Sequence, residues 1–198
     1  MSTHKKTTED KLDSILDSEH FDIVFEKEET QKCVVTLSKF VEFEFVYSKL
    51  LSTLRDLPHN CTSVELRLSN FGGETHSCIE LFNAFKDCPV PVDVIITAPS
   101  YSCGAILALC GDSLTLNKGT FLMFHNYSTS EHGKGGEVTL AVTHWAEYSK
   151  NYDHEILSPF LTKKEVERIN NDNDLYINWN DTNLKTRIKR HFKLRVGK

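Results

Sequence analysis

The sequence has no apolar run that approaches the roughly 18 residues needed to cross a bilayer. Its longest apolar stretch, 104–110, is far shorter than that. The N-terminus, MSTHKKTTEDKLDS, is polar and charged and lacks the apolar core of a secretory signal. These two absences argue against a membrane or secreted protein. We therefore expect a cytoplasmic globular chain.

Closely paired cysteines are also absent. The chain has six cysteines, but no two of them form a CxxC pair. Cys103 and Cys110 are seven residues apart, and no further zinc ligands stand at a suitable spacing from them. Without a secretory signal, reduced thiols in the core are the expected state, and we expect no metal site. The six cysteines are Cys33, Cys61, Cys78, Cys88, Cys103 and Cys110.

Positive charge is in deficit over most of the chain. Lys and Arg number 23 against 28 Asp and Glu, which gives a formal net charge of −5. Residues 185–198 contain seven Lys or Arg and no acid, which leaves 16 basic and 28 acidic groups elsewhere, a charge of −12. An acidic body argues against a general nucleic-acid-binding protein. The basic tail is instead a candidate docking or assembly segment.

Strand and helix patterns alternate along the chain, and this order predicts an α/β fold. A capping box, Thr162 followed by Glu165, predicts that a helix begins there. A polar loop is expected at 170–174. The predicted strands are 33–37, 64–69, 92–97, 114–116 and 121–124, and the predicted helices are 43–57, 78–85, 104–110 and 137–160.

Two loops that follow predicted strands carry residues suited to catalysis. A turn is expected at 70–73, and there the paired glycines Gly72 and Gly73 let backbone N–H groups approach a ligand or a developing oxyanion closely. Ser102 opens a helix, so the helix dipole and the N–H of Cys103 would stabilise negative charge nearby. Each pattern also has a purely structural interpretation, as a tight turn or as a helix N-cap. The serine motif is not GxSxG, which argues against an α/β-hydrolase elbow.

A third loop begins at His125, directly after an apolar strand. A serine needs a base to become a nucleophile, and His125 is the best placed of the nine histidines for that role. A histidine base needs a carboxylate that fixes its tautomer, and Asp172 and Asp174 lie in the polar loop downstream. Taken singly, these residues are more simply a structural histidine and two solvated acids. Their combination with the serine is more informative than any one of them.

Four segments together resemble the Clp protease proteolytic subunit, a serine peptidase family. NFGG is similar to the family's P-G-G turn, and YSCGAILALCG to its A-S-M-G-A nucleophile segment. FLMFHNY is similar to its M-I-H-Q-P segment, and INNDNDLYIN to its R-D-x-F-x-S segment. The segments occur in the family's order, and the resemblance covers roughly residues 33–180.

This resemblance implies a catalytic triad. Ser102 would be the nucleophile, His125 the general base, and Asp174 the orienting carboxylate, with Asp172 as the fallback. The resemblance further implies an oxyanion hole formed by the backbone N–H groups of Gly73 and Cys103. The activity implied is ATP-dependent endopeptidase activity, in which an acyl-enzyme on the serine is hydrolysed by water.

Three glycines would contact the substrate, namely Gly72, Gly135 and Gly136. The chain itself would bind no cofactor, because ATP would be used only by a partner ATPase. Members of the family form rings, often two stacked heptamers, which enclose the active sites. The implied partners are therefore further copies of this chain, an AAA+ unfoldase and polypeptide substrates, with neither nucleic acid nor membrane.

The fold implied is α/β, a ClpP/crotonase-like spiral of stacked ββα units with a projecting handle helix. It divides the chain into a flexible N-terminal arm at 1–20, a protease domain at 21–181 and a basic tail at 182–198. The handle is expected at about 132–160.

Departures from the family's pattern leave two other functions open. Phe71 replaces a proline, and Asn173 stands where an arginine often pairs across rings. A non-catalytic ring subunit or assembly scaffold would tolerate such divergence, although it would not need to keep the serine, histidine and aspartate. A crotonase-like enzyme acting on an acyl thioester would share the spiral core and the oxyanion chemistry without needing that set.

Overall fold

The computed structural model describes residues 16–17, 21–26, 31–42 and 44–193, which form a mixed α/β fold with two sheets. In chain order the strands are β1 (Leu16–Asp17), β2 (Phe21–Glu26), β3 (Gln31–Val41), β4 (Cys61–Gly73), β5 (Val92–Ile96), β6 (Ser100–Tyr101), β7 (Ser113–Leu116), β8 (Phe121–Phe124) and β9 (Leu175–Asn178). The larger sheet has the order β1-β2-β3-β4-β5-β7, and the smaller has the order β6-β8-β9. The fold class expected from the alternating patterns is therefore confirmed.

Helices connect the parallel strands of the larger sheet. The helices are α1 (Ser48–Arg55), α2 (Thr75–Lys86), α3 (Cys103–Leu107), α4 (Gly135–Leu157), α5 (Lys163–Asn170) and α6 (Leu184–Lys193). Strands β3, β4, β5 and β7 pair in parallel, and α1, α2 and α3 lie in the connections between them. Parallel neighbours need such crossovers, because a tight hairpin can join only antiparallel strands. Within the described residues, no helix is long and apolar enough to cross a membrane.

The core follows the two periodicities on which the strand and helix predictions depended. In β4, the alternate residues Val64, Leu66 and Leu68 are fully buried, as expected for a strand with one face against the core. In α2, Leu81 and Phe85 are buried one helical turn apart. The capping box is also confirmed, because the Thr162 hydroxyl accepts a hydrogen bond from the backbone N–H of Glu165.

The predicted turn at 70–73 is wrong. Strand β4 continues through Gly73, which pairs with Val41 at the end of β3 after a shift in register. The positive φ angles of Gly72 (+90°) and Gly73 (+142°) let the strand bend here without ending. Local propensity indicated a turn, but tertiary pairing determined the outcome.

Strands β1 and β2 were not predicted. Strand β2 pairs antiparallel with β3, and its residues Phe21 and Ile23 are buried. Strand β1 falls within the predicted arm at 1–20 and pairs with β2. The rest of that arm lies outside the described residues, as do 194–198 of the predicted tail.

The basic segment folds against the body as α6. Arg187 donates two hydrogen bonds to the Glu165 carboxylate, at 2.8 and 2.7 Å. Arg190 donates to the carbonyl oxygens of Pro159 and Phe160. Two of the seven basic residues at 185–198 therefore form hydrogen bonds to other parts of the same chain.

The Glu165–Arg187 pair should make the stability of the fold depend on pH. The Arg187 guanidinium lowers the pKa of Glu165 from its usual 4.5 to about 2. Since the folded pKa lies below the unfolded value, the stabilisation is complete above about pH 4.5 and is lost as the pH falls through about 2. At pH 7, the free energy of unfolding of a Glu165→Gln variant should be about 2–3 kcal/mol lower than that of the wild type. At pH 2, this difference between variant and wild type should almost vanish. Urea unfolding followed by circular dichroism at several pH values measures this loss.

Glu167→Gln is the matched control for this prediction. Glu167 pairs with Lys163 at 3.9 Å on the exposed side of the same helix, where an ion pair contributes little. Its replacement should change stability by less than about 0.5 kcal/mol at any pH. Equal losses in the two variants would contradict the role given to the Arg187 pair.

Candidate active site around Ser102

Ser102 has a backbone conformation that serine rarely adopts. It lies between β6 and α3 with φ 53° and ψ −123°, which are the angles of the first central residue of a type II′ turn, a position that glycine normally occupies. Non-glycine residues held in such conformations cluster at functional sites. A strained serine at a strand-to-helix turn is also the geometry of a nucleophile elbow, although the GxSxG motif is absent.

Hydrogen bonds on both sides hold this conformation in place. The Ser102 N–H donates to the Met123 carbonyl oxygen of β8 at 2.8 Å. The Ser102 carbonyl oxygen accepts from the N–H groups of Ala105 and Ile106 in α3, at 2.9 and 3.0 Å. The serine is therefore fixed between the smaller sheet and the helix that follows it.

Close backbone packing brings the end of β4, which contains Gly72 and Gly73, against Ser102. A Cβ placed on Gly72 would lie 2.6 Å from the Ser102 Cβ, and one placed on Gly104 would lie 2.7 Å from the Asn70 carbonyl oxygen. Both glycines are thus required by contact between β4 and the Ser102–α3 segment. The buried Asn70 side chain accepts a hydrogen bond from the Gly72 N–H at 2.9 Å, so this amide is already used within the chain.

Gly73 and Cys103 lie beside one another. The Cys103 Sγ is 3.4 Å from the Gly73 carbonyl oxygen, so the two segments that carry the predicted oxyanion donors are in contact. Cys103 is the first residue of α3, and an N–H in the first turn of a helix has no acceptor within the helix. This arrangement is suited to stabilising an anion near the Ser102 hydroxyl.

Ser102 and His125 open onto the same small cavity of about 60 Å³. His125 directly follows β8, and the serine is bonded to that strand two residues before the histidine. The remaining walls come from α2, from α3 and from aromatic residues of α4, chiefly Trp145, Tyr148 and Tyr152. The structure therefore brings the predicted nucleophile and the predicted base to one place.

The two candidate acids lie close to the histidine segment. Strands β8 and β9 pair antiparallel up to Phe124 and Leu175, so continuing this register by one residue sets His125 opposite Asp174. The Asp172 carboxylate accepts a hydrogen bond from the Asn126 side chain at 2.8 Å. Both acids are exposed, and the choice between them stays open.

The described residues show none of the hydrogen bonds that the predicted triad would make among its side chains. Over the part of the chain that the structure describes, no hydrogen bond joins the side chains of Ser102, His125 and Asp174 to one another. Such bonds are often long in free enzymes and tighten when substrate binds. The residues of the predicted triad therefore lie in one region of the described structure without hydrogen bonds between their side chains.

Gly135 and Gly136 lie apart from this centre. They form the first turn of α4 and are exposed, and a Cβ placed on either would meet no atom within 4 Å. Neither lines the cavity that contains Ser102. Their predicted contact with substrate stays a prediction.

Some functional contacts could not be found from the sequence patterns. Trp145, Tyr148 and Tyr152 belong to the apolar stripe of the predicted helix, and their periodicity gives no sign that they cover Ser102. Asn70 belongs to the predicted turn, although its buried side chain positions Gly72. An asparagine two residues before paired glycines is the one local signal that would have suggested this role.

Comparison with known proteins adds no assignment. No model of a protein family matches the chain, and no curated protein matches it. What the fold and site define is a mixed α/β protein in which a strained serine and a histidine line one cavity and two acids lie close to the histidine segment. Its function has to be inferred from that chemistry.

Proposed function

We propose that the chain is a serine endopeptidase of the Clp type, with Ser102 as nucleophile, His125 as general base and Asp174 as orienting acid. The observation that carries this proposal is the strained backbone of Ser102 at a turn that opens onto the cavity lined by His125. Strain of this kind costs about 1–3 kcal/mol and persists only where the surrounding structure enforces it. The alternation of strands and helices, the second sheet and the long exposed α4 support a ClpP/crotonase-like spiral with a handle.

The reaction would proceed by acyl transfer. His125 takes the proton of the Ser102 hydroxyl as the oxygen attacks the peptide carbonyl, and it then donates this proton to the leaving amine. The N–H groups of Gly73 and Cys103 stabilise the oxyanion. Water, activated by the same histidine, hydrolyses the acyl-enzyme. No step needs a metal or a bound cofactor.

A larger cavity beside the serine favours an extended peptide as substrate. This cavity of about 460 Å³ lies between the segments 73–76 and 127–131. It shares the residues Thr75, Tyr127 and Trp145 with the cavity of Ser102, so the two adjoin. A polypeptide lying in the larger cavity would present a carbonyl group to Ser102.

Exposed apolar side chains support assembly into a ring. On α4, Leu140 is 71% exposed and Val142 is 40% exposed. Phe40, Phe71 and Tyr176 are also exposed and belong to a continuous row of aromatic contacts. Further copies of this chain are the partners we propose for these surfaces, with an AAA+ unfoldase delivering polypeptides to the ring.

Labelling by a fluorophosphonate tests the proposed activity. The probe should form a covalent adduct at Ser102, located by peptide mass spectrometry, in protein whose particle mass is that of a ring. Negative-stain images of the same fraction should show rings. Ring-sized protein that stays unlabelled while a control serine protease reacts would contradict the proposal.

The choice between the two acids is tested by paired substitutions. Asp174→Asn should reduce kcat severely, by roughly 10⁴-fold, because the histidine loses the carboxylate that holds its tautomer. Asp172→Asn should have a smaller effect, since its carboxylate is bonded to Asn126. Peptide hydrolysis measures both. Full activity of the first variant and inactivity of the second would reverse the assignment.

A non-catalytic ring subunit is the second candidate function. The open geometry among Ser102, His125 and Asp174, whose side chains no hydrogen bond joins within the described chain, favours it. In that case the protein would form rings but would not react with the fluorophosphonate. The same labelling experiment therefore separates the two candidates.

A further inference from the structure

Two cysteines lie against one another in the wall of the cavity that contains Ser102. Cys78 lies on the buried side of α2, and Cys103 begins α3. The Cys78 Sγ is 3.6 Å from the Cys103 carbonyl oxygen, so the two cysteines are in contact. Both residues line the cavity together with Ser102 and His125.

The contact makes the two thiols chemically different. The interaction with Cys78 lowers the pKa of the Cys103 thiol, and the same interaction, together with burial, raises the pKa of Cys78. Because the thiolate is the reactive form of cysteine, Cys103 is the first of the two to react with an electrophile. Cys78 is then the adjacent thiol that resolves the product.

Small molecules can reach this pair through the cavity. The two residues are only 1% and 5% exposed, yet they face a space of about 60 Å³. A water molecule occupies about 30 Å³ in the liquid. Hydrogen peroxide is only slightly larger than water and fits the same space.

We propose that Cys78 and Cys103 are a reversible oxidation site, converted to a disulfide by hydrogen peroxide. The Cys103 thiolate attacks one peroxide oxygen, the O–O bond breaks, and hydroxide leaves and is protonated to water. The Cys78 sulfur then attacks the Cys103 sulfenic acid, the S–O bond breaks, and a second water leaves as the S–S bond forms. Two thiols are oxidised to one disulfide, and one peroxide is reduced to two waters.

Oxidation should also change the reactivity of Ser102. A disulfide requires the two sulfurs to be about 2.05 Å apart, closer than any hydrogen-bonded contact. Closing that gap draws Cys103 toward α2, and Cys103 carries the amide proposed for the oxyanion hole. This consequence rests on the proposed function, whereas formation of the disulfide does not.

Peptide mass spectrometry of the full chain after treatment with hydrogen peroxide tests the site. We expect one cross-linked pair of peptides, containing Cys78 and Cys103, which disappears when dithiothreitol is added. Cys78→Ser should leave Cys103 as a sulfenic acid that dimedone traps. Cys88→Ser is the matched control, because Cys88 is half-buried and lies outside the pair, and this variant should form the same cross-link.

Each outcome bears on one part of the proposal. Protein that keeps both thiols free for alkylation after treatment and unfolding, or that cross-links other cysteines instead, overturns the site. Fluorophosphonate labelling that slows at least about tenfold on oxidation and recovers with dithiothreitol supports the link to Ser102. If the Cys78–Cys103 disulfide forms but fluorophosphonate labelling is unchanged, the oxidation site is supported and its effect on Ser102 is overturned. If the reduced protein is never labelled, the proposed endopeptidase activity is contradicted. The cross-linking result then tests the oxidation site alone.

Discussion

Ser102→Ala should fold as the wild type does and lose peptide hydrolysis by roughly 10³–10⁶-fold. The substitution removes the oxygen that would form the acyl-enzyme. The backbone hydrogen bonds of this residue to Met123 and to α3 stay in place. Hydrolysis of a fluorogenic peptide and covalent labelling by a fluorophosphonate measure the loss. Circular dichroism should show an unchanged melting temperature, since the side chain removed is small and only half-buried.

Ser158→Ala is the control for this experiment. Ser158 is the C-cap residue of α4 and does not line the cavity of Ser102, so its loss should leave labelling and hydrolysis unchanged. Residual labelling of the Ser102→Ala protein, at the stoichiometry of the wild type, would show that another residue reacts. Ser102 would then not be the nucleophile.

The position of Ser102 was predictable from sequence, but its strain was not. A run of small residues after an apolar strand predicted a turn into a helix, and the structure has α3 beginning at Cys103. The angles of φ 53° and ψ −123° depend on a hydrogen bond to Met123, which is 21 positions further along the chain. The local sequence carries no sign of that hydrogen bond. The absence of a GxSxG motif argued against a strained nucleophile elbow at this position.

Tertiary contacts also explain the other differences. Paired glycines predicted a turn, yet pairing between β3 and β4 holds Gly73 in a strand. The periodicity of α4 predicted an apolar face, but periodicity alone does not say that Trp145 and Tyr148 cover a cavity. Strand β2 is the exception, because Phe21, Ile23 and Phe25 stand at alternate positions, a pattern typical of a strand, so this strand was predictable from the sequence.

The fold and the candidate chemistry meet at Gly72, because a methyl group added to this residue would press directly on Ser102. Gly72 has φ +90°, and a Cβ there would lie 2.6 Å from the Ser102 Cβ and 3.2 Å from its Oγ. Contacts this short force one partner to move, and a shift of about 1 Å in a catalytic group costs roughly 10²-fold in rate.

Gly72→Ala should therefore slow labelling of Ser102 by at least about 10²-fold, and Gly119→Ala separates this effect from backbone strain. Gly119 has nearly the same φ, +87°, but a Cβ there meets no atom within 4 Å. Both variants should lose about 1–2 kcal/mol of unfolding free energy because a side chain disfavours positive φ, and Gly72→Ala should lose more because of its short contact with Ser102. Only Gly72→Ala should also reduce the reactivity of Ser102. This reactivity is measured as the labelling rate of folded protein, at a temperature well below both melting transitions. Equal labelling rates in the two variants would mean that Gly72 does not constrain the serine, and the close packing of β4 against Ser102 would have no part in positioning the nucleophile.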